Sequence, residues 1–212
     1  MSRTSSAADL AMPVLPFKMV MKLNAKGIVD AAAVPSNAVA STKHYFTSVR
    51  SKVVVNRELR SPGDGGSTRH VELDIHNLRG VTYKTADNLA VLPENDDASV
   101  ERLASAMGWT ALLDKTFTLE KNNSNDDFKQ AFPTPCTVRN ALVSYFDIHG
   151  MPRRSTLKDW VPFVTNPAER EVLQGMLSKS GGRERDKEMV EDKHRSLFEL
   201  LVIDFPSTRV SL

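Results

Sequence analysis

Alternating apolar and polar positions dominate the first third of the chain. Three segments rich in β-branched residues have the composition and two-residue period of strands: residues 13–23, 45–59 and 67–75. In the last segment Val71, Leu73 and Ile75 alternate with acidic residues, which is typical of an antiparallel strand with one buried face. The turn-forming residues 62–66, PGDGG, precede it. The pattern therefore predicts a hairpin of the second and third segments.

After residue 95 the apolar period becomes that of a helix. Four positions follow the i, i+3, i+4, i+7 spacing of one helix face: Val100, Leu103, Ala104 and Met107. Asp96 and Asp97 precede them as N-cap candidates and Gly108 follows as a stop signal. Residues 138–145 repeat the spacing behind Thr137, whose hydroxyl can accept a hydrogen bond from a first-turn amide. Both segments are predicted to be helices.

In two further segments the sequence predicts a short or kinked helix and the start of a helix, respectively. Residues 157–164 have helical spacing, but Pro162 removes an amide donor, so we expect a short or kinked helix. Asn166, Pro167 and Glu169 have the pattern of an N-cap, a first-turn proline and a capping-box acid. A helix is therefore expected to begin at this point.

The last apolar set extends from residue 187 to residue 203. It follows the Gly-rich, charged stretch 180–186, and Pro206 comes shortly after it. The spacing predicts one long helix over Lys187–Ile203. Strands followed by a block of helices indicate an α+β chain or a sheet domain with a helical insertion, and periodicity alone does not choose between them.

Composition narrows the function classes only modestly. The 212 residues, of which 41% are hydrophobic, are enough for a substantial core. A formal charge of +2 favours neither nucleic acid nor an anionic membrane as a partner, and no apolar run long enough for a membrane segment occurs. The lone Cys136 excludes an internal disulfide and points to a reducing, cytoplasmic location. Residues 1–12 are expected to be a disordered lead-in.

Motifs for hydrolytic or nucleotide chemistry are absent from the sequence. The five histidines show no His-Glu-x-x-His pairing, so we expect no metal site. There is no Gly-x-Ser-x-Gly nucleophile elbow and no P-loop, and the glycines of residues 63–66 are interpreted as a turn.

Several strings, in a fixed order, resemble the diflavin reductases, the family of the NADPH-haemoprotein (cytochrome P-450) reductases. They are YKTADNLAVLPEND from Tyr83, FPTPCTVRNAL from Phe132, MPRRSTLKDW from Met151, NPAEREVLQGML from Asn166 and HRSLFELLVIDFPS from His194. The resemblance implies an α+β fold: a partial antiparallel β-barrel, of the ferredoxin-reductase-like FAD domain, with an all-helical insertion. The implied domains are a lead-in (1–12), incomplete barrel strands (13–94), a helical connecting domain (95–206) and the start of the return to the barrel (207–212).

The same resemblance implies a function. The chain would be a fragment of an NADPH-dependent diflavin oxidoreductase, in which electrons pass from NADPH to FAD, to FMN and to a haem or other acceptor. It would contribute the connecting domain and part of the FAD site, with NADPH and FMN bound only by the parent enzyme. Its partners would be the flavodoxin-like FMN domain and the NADPH-binding domain. The alternative is a stand-alone, non-catalytic docking or binding module derived from that family.

The resemblance assigns one cofactor contact, Arg195, to the FAD pyrophosphate. A guanidinium presents a planar fork of donors to phosphate oxygens and stays charged at any working pH. No catalytic residue is expected, because the family's Arg-x-Tyr-Ser strand would follow only after Pro206, and the chain alone is predicted to be inactive. Asp87 falls in the family's Gly-Asp-His position, but with Ala86 and Asn88 around it we interpret it as a turn former.

Other residues are candidates for contacts to the nicotinamide nucleotide or to a partner domain. Thr82 lies where relatives carry a basic residue for the nicotinamide nucleotide phosphate, and Arg79 is a possible substitute. The basic residues Arg153, Arg154 and Lys158 form a hypothetical docking face for an acidic flavodoxin-type surface. Four residues are expected to serve packing or surface ion pairing instead: Cys136, Arg139, Trp109 and Trp160.

Overall fold

The computed structural model describes residues 19–23, 44–76, 78, 82–121 and 129–210. The predicted lead-in (1–12) and Arg79 lie outside these ranges. The described residues fall into two compact units, one formed by residues 42–92 and the other by the strand Met19–Leu23 together with residues from 93 onward. Each unit is considered by itself below.

The first unit is a hairpin with a short helix before it. Strands β2 (Lys52–Glu58) and β3 (Arg69–Asp74) pair antiparallel, which confirms the predicted hairpin. The register shifts between Val53 and Val55. Helix α1, His44–Thr47, occupies the start of the segment that we expected to be extended. The expected buried face of β3 is not formed, since Val71 is 48% and Ile75 37% exposed.

The carboxylate of Glu58 accepts four hydrogen bonds at the glycine-rich tip of this hairpin. Glu58 accepts hydrogen bonds from the amides of Leu59, Arg60 and Thr68 and from the hydroxyl of Ser67. These bonds, led by that from Ser67, lower the pKa of Glu58 to about 2. The residues interpreted as a turn therefore form one, rather than a phosphate-binding loop.

Residues 89–92, which follow the turn at Asp87, are not part of a sheet. Leu89 is 73% exposed and Val91 68% exposed, and the described strands offer them no pairing partner. An extended apolar segment requires a neighbouring strand to satisfy its backbone groups. Within the described residues the strands form a two-stranded and a three-stranded sheet, and no closed barrel.

The three-stranded sheet belongs to the second unit. Strand β4, Thr116–Lys121, pairs antiparallel with β1, Met19–Leu23, on one side and with β5, Cys136–Thr137, on the other. The stretch 95–206, predicted to be all-helical, thus also contributes two strands. The prediction missed them because β4 is formed by pairing with residues about a hundred positions away, a contact that local periodicity does not show.

The helices of the second unit begin where their caps predicted. Helix α2, Asp97–Met107, has the Asp96 carboxylate on the amide of Ser99 and ends at Gly108, whose φ is 76°. Helix α3, Val138–Ser144, has the Thr137 hydroxyl on the amide of Asn140. A 3₁₀ turn, Thr110–Leu112, follows α2. Both predicted helices are therefore confirmed.

The next two helices also follow their sequence signals. Helix α4, Arg154–Trp160, gives way to a 3₁₀ turn, Val161–Phe163, at Pro162, as expected for a short helix. Helix α5, Pro167–Leu177, is capped by Asn166, which accepts from the amide of Ala168. Glu169, expected to complete a capping box, instead accepts hydrogen bonds from Ser207 near the end of the chain.

The long helix predicted over residues 187–203 is broken in the structure. Helix α6, Gly182–Asp186, begins within the Gly-rich, charged stretch 180–186 and continues into a π turn, Lys187–Glu191. A short helix α7, Leu197–Glu199, then leads into a second π turn, Leu200–Asp204. The prediction was wrong because the apolar spacing continues through the break.

The core of the second unit lies among these helices. One cluster of its buried residues comprises Leu157, Val164, Leu173, Met176, Val190, Leu200 and Phe205. The segment after Phe205 is fixed by an isolated bridge between Val164 and Thr208 and by the Trp109 indole, which donates to the carbonyl of Val210 at 2.7 Å. The segment that follows the last helical region is thereby tied to Val164 and to Trp109.

Candidate functional site

Arg195 lies at the break between the two halves of the last helical region. His194, just before it, has a left-handed backbone with φ of 50°. The first π turn is closed by the Asp192 amide on the Lys187 carbonyl at 2.8 Å, and just beyond it the amide of Arg195 donates to the carbonyl of Val190 at 2.9 Å. Left-handed non-glycine residues and π turns are both concentrated at functional sites. The backbone thus marks the position that the resemblance assigned to a cofactor contact.

Immediately after Arg195 the chain starts a new helix with a capping box. The hydroxyl of Ser196 accepts from the amide of Glu199 at 3.2 Å, and Glu199 Oε2 accepts from the Ser196 amide at 2.9 Å. This reciprocal pair satisfies first-turn donors at both ends of the turn. It fixes the backbone on either side of the Arg195 side chain.

The Arg195 guanidinium is flanked by two carboxylates. Its Nη1 donates to Glu199 Oε1 at 3.3 Å, and its Nε lies 3.2 Å from Asp204 Oδ2. The second contact is close but misaligned, because neither Nε nor Oδ2 has a hydrogen-bond partner. The Arg195 side chain is 24% exposed and that of Asp204 14%. The Arg195 side chain therefore lies near the surface, and the two carboxylates already offset part of its positive charge.

The two carboxyl groups are affected in opposite ways. Burial raises the pKa of Asp204, with Glu199 adding to the rise and Arg195 and Lys193 opposing it. The pKa of Glu199 is lowered chiefly by the amide and hydroxyl of Ser196, with a further contribution from Arg195. Glu199 is consequently the firmer anionic partner of Arg195.

The sequence analysis named Arg195 as a candidate but did not name these two carboxylates beside it. The string Ser196-Leu-Phe-Glu199 matches the S-x-x-E pattern of a capping box, which would have indicated a helix start at Ser196. The Arg195–Glu199 pair also has i, i+4 spacing. No such signal leads to Asp204, because its approach depends on the second π turn.

Asp87 forms a turn, as expected. Its carboxylate accepts from the Lys84 amide at 2.6 Å and its own amide donates to the Lys84 carbonyl. Ala86, in the family's glycine position, has φ of 72°. Thr82 is exposed. No described contact gives either Asp87 or Thr82 a ligand-binding geometry.

The basic residues of α4 are not equivalent. Arg153 and Lys158 are exposed. Arg154 instead approaches Asp186 of α6, with 3.9 Å between Nη1 and Oδ2. The proposed docking face is thus reduced to two freely presented cations.

The residues expected to serve packing or surface pairing do so. Cys136 is buried, and burial raises the pKa of its thiol to about 12, so it is not a reactive thiolate. Arg139 pairs with Glu101 and Asp114. Trp160 packs on the core and Trp109 is held by its bond to Val210.

The described part of the chain has neither a cluster of metal-binding side chains nor a membrane-spanning helix. It contains no group of three or more His, Cys, Asp or Glu side chains placed to hold a metal ion. None of its helices is both long and apolar enough to cross a bilayer.

Comparison with known families accounts for this arrangement. The family described as FAD binding domain matches residues 40–212. The chain belongs to the FAD binding domain family. The match covers both the hairpin unit and the helical unit, including the whole of the Arg195 region.

Curated relatives point to the same family. The chain is 35% identical to three proteins named NADPH–cytochrome P450 reductase. They come from Drosophila melanogaster (150 aligned residues), Oryctolagus cuniculus (158) and Homo sapiens (158). These alignments cover 70%, 74% and 74% of this chain, but only 22%, 22% and 23% of the respective reductases. The resemblance to diflavin reductases is confirmed, and the chain spans less than a quarter of those relatives.

Proposed function

We propose that the chain is a segment of a cytoplasmic, NADPH-dependent diflavin oxidoreductase that supplies the connecting domain and part of the FAD site. The observation that carries the proposal is the similarity to three NADPH–cytochrome P450 reductases over 70% to 74% of the chain. In this proposal residues 13–94 provide barrel strands and residues 95–206 the connecting domain.

The Arg195 side chain has the type of donor that binds the diphosphate of a dinucleotide. A guanidinium donates in a fork to phosphate oxygens, and Arg195 lies near the surface beside a fixed helix start. FAD, when bound in the parent enzyme, would supply the redox chemistry. Arg195 would hold its diphosphate, and Ser196 and Glu199 would keep the backbone beside it in place.

The same residues argue that the site is partial. Glu199 and Asp204 offset the single positive charge of Arg195. Binding and spacing of the flavin domains are therefore the roles we assign, with catalysis left to other parts of the parent enzyme.

The proposed partners are the flavodoxin-like FMN domain and the NADPH-binding domain. Arg153 and Lys158 present positive charge on one helix, and complementary charge orients weak redox partners. Arg154, turned toward Asp186, contributes less to this surface.

FAD titration of the purified chain, followed by flavin fluorescence, tests the proposal. We expect a colourless protein that binds FAD with roughly millimolar affinity, because one charged contact barely exceeds the cost of association. Arg195→Gln should weaken that binding, whereas Arg139→Gln, which removes a surface cation paired with Glu101 and Asp114, should not. A stoichiometric yellow protein would contradict the partial site, and equal binding by both variants would contradict the role of Arg195.

A further inference from the structure

The contacts of Arg195 restrict how it can receive an anion. A guanidinium offers two edges for bidentate binding, one formed by Nη1 and Nη2 and the other by Nε and Nη2. Glu199 contacts Nη1, and Asp204 lies beside Nε. Each edge therefore has one donor next to a carboxylate. A phosphate can bind in a bidentate manner only by displacing one of them.

Glu199 is held in this position independently of Arg195. Its second oxygen, Oε2, accepts from the amide of Ser196 at 2.9 Å and from the hydroxyl at 3.0 Å. Moving Glu199 away from Arg195 would disturb the capping box that starts α7. The carboxylate is therefore a fixed competitor rather than a freely rotating surface group.

Asp204 approaches Arg195 from the far end of the helical segment that follows it. Arg195 itself lies before the N-cap Ser196, outside that segment. The segment ends in the π turn Leu200–Asp204, which is closed by the Phe205 amide on the Leu200 carbonyl at 2.7 Å and carries the Asp204 carboxylate to 3.2 Å from Arg195 Nε. Two separate backbone features thus bring two negative charges to one guanidinium.

We propose that Glu199 and Asp204 form a carboxylate clamp on Arg195 that competes with a diphosphate and sets its affinity. The clamp rests on the proposed role of Arg195 as the pyrophosphate contact. Each charged carboxylate competes with an incoming anion for Arg195, and Lys193, which opposes the rise in the pKa of Asp204, offsets part of their negative charge. Release of Arg195 from one of the two carboxylates is therefore the step that opens the site to FAD.

Binding of inorganic pyrophosphate to the 212-residue chain, at constant ionic strength, tests the clamp without a flavin. Glu199→Gln removes the charge and keeps the capping box, since glutamine also fits that motif. Asp204→Asn is nearly isosteric. The matched control, Glu171→Gln, removes the same charge from an exposed position of α5. Backbone amide shifts give both the affinity and the location, and thermal unfolding confirms that each variant is folded.

We expect Glu199→Gln to tighten pyrophosphate binding by about fivefold or more, the Glu199→Gln, Asp204→Asn double variant to tighten it further, and Glu171→Gln to change it little. Adding Arg195→Gln should abolish the gain. If Arg195→Gln weakens binding but Glu199→Gln and Asp204→Asn leave it unchanged, the clamp is wrong while the proposed Arg195 contact stands. If the gain persists without Arg195, or the double variant still binds no pyrophosphate, both the clamp and that contact are overturned.

Discussion

At the scale of single residues, Ala86 shows how one substitution alters a turn without removing it. The resemblance places a glycine at this position in relatives, and the structure gives Ala86 a left-handed φ of 72°. An L-residue with a side chain pays a steric cost in that conformation, which glycine avoids. Hydrogen bonds between Asp87 and Lys84 nevertheless close the turn. The turn is therefore retained under local strain.

Ala86→Gly is expected to stabilise this turn by about 0.5 to 1 kcal/mol, since relief of the steric cost exceeds the added chain entropy. The measurement is hydrogen exchange at the Asp87 amide, which donates to the Lys84 carbonyl at 3.1 Å. Exchange should slow severalfold. Ala90→Gly, in the same exposed segment but without a left-handed backbone, should give no such slowing. Faster exchange in Ala86→Gly would contradict the strain.

At the scale of elements, helices that begin with a capping side chain were predictable. Asp96, Thr137 and Asn166 each accept a hydrogen bond from the first turn that follows them. This signal is local, so the sequence contains all of it. The helix restart at Ser196 carried an equally local signal, but the continuous apolar spacing from 187 to 203 favoured one helix and concealed the break.

Elements that depend on distant residues were not predictable. Strand β4 exists through its pairing with Met19–Leu23, and the Asp204 contact to Arg195 exists through a π turn. Neither the pairing nor the widened turn has a short-range pattern. The candidate site was therefore predicted as one residue, Arg195, whereas the carboxylates that surround it required the structure.

The contact between helices α4 and α6 depends on a poorly satisfied ion pair. Arg154 Nη1 and Asp186 Oδ2 are 3.9 Å apart, while Arg154 Nη1 and Asp186 Oδ1 are buried without a hydrogen-bond partner. Burial raises the pKa of Asp186 above 3.8, with Glu191 adding to the rise and Arg154 opposing it. Arg154 thus mainly reduces the energetic cost of burying the charged Asp186 carboxylate.

Arg154→Met should lower the free energy of unfolding by more than about 1 kcal/mol near pH 7, because it leaves a buried carboxylate without a cation. A raised folded-state pKa means that the folded chain binds the proton more tightly, so stability falls as pH rises above 3.8 through the folded pKa. Removing Arg154 raises that pKa further. Urea unfolding should therefore show a larger loss near neutral pH than below about pH 4.

Lys158→Met provides the control for this prediction. It removes an exposed cation from the same helix and should change stability by less than about 0.5 kcal/mol at either pH. An Arg154→Met loss that is independent of pH would show that Arg154 contributes packing alone.

At the scale of the whole molecule, the two units differ in how much apolar surface they bury. The helical unit buries Leu157, Leu173 and Leu200 completely. In the hairpin unit, Val53 and Val54 are each 51% exposed. In the proposed parent enzyme the hairpin would be part of a larger barrel, so the chain alone contains one well-packed unit and one with few buried contacts.

Hydrogen exchange should separate these units clearly. A two-stranded hairpin without a packed face is at best marginally stable, whereas helices that share a buried core open only with global unfolding. Amides paired between β2 and β3 should therefore exchange with an opening free energy at least about 2 kcal/mol below that of α5 amides, after correction for intrinsic rates. The Glu58 hydrogen bonds protect only the tip of the hairpin and should not close this gap. Equal protection in β2, β3 and α5 would mean that the hairpin is stabilised as strongly as the helical core, contrary to its exposure.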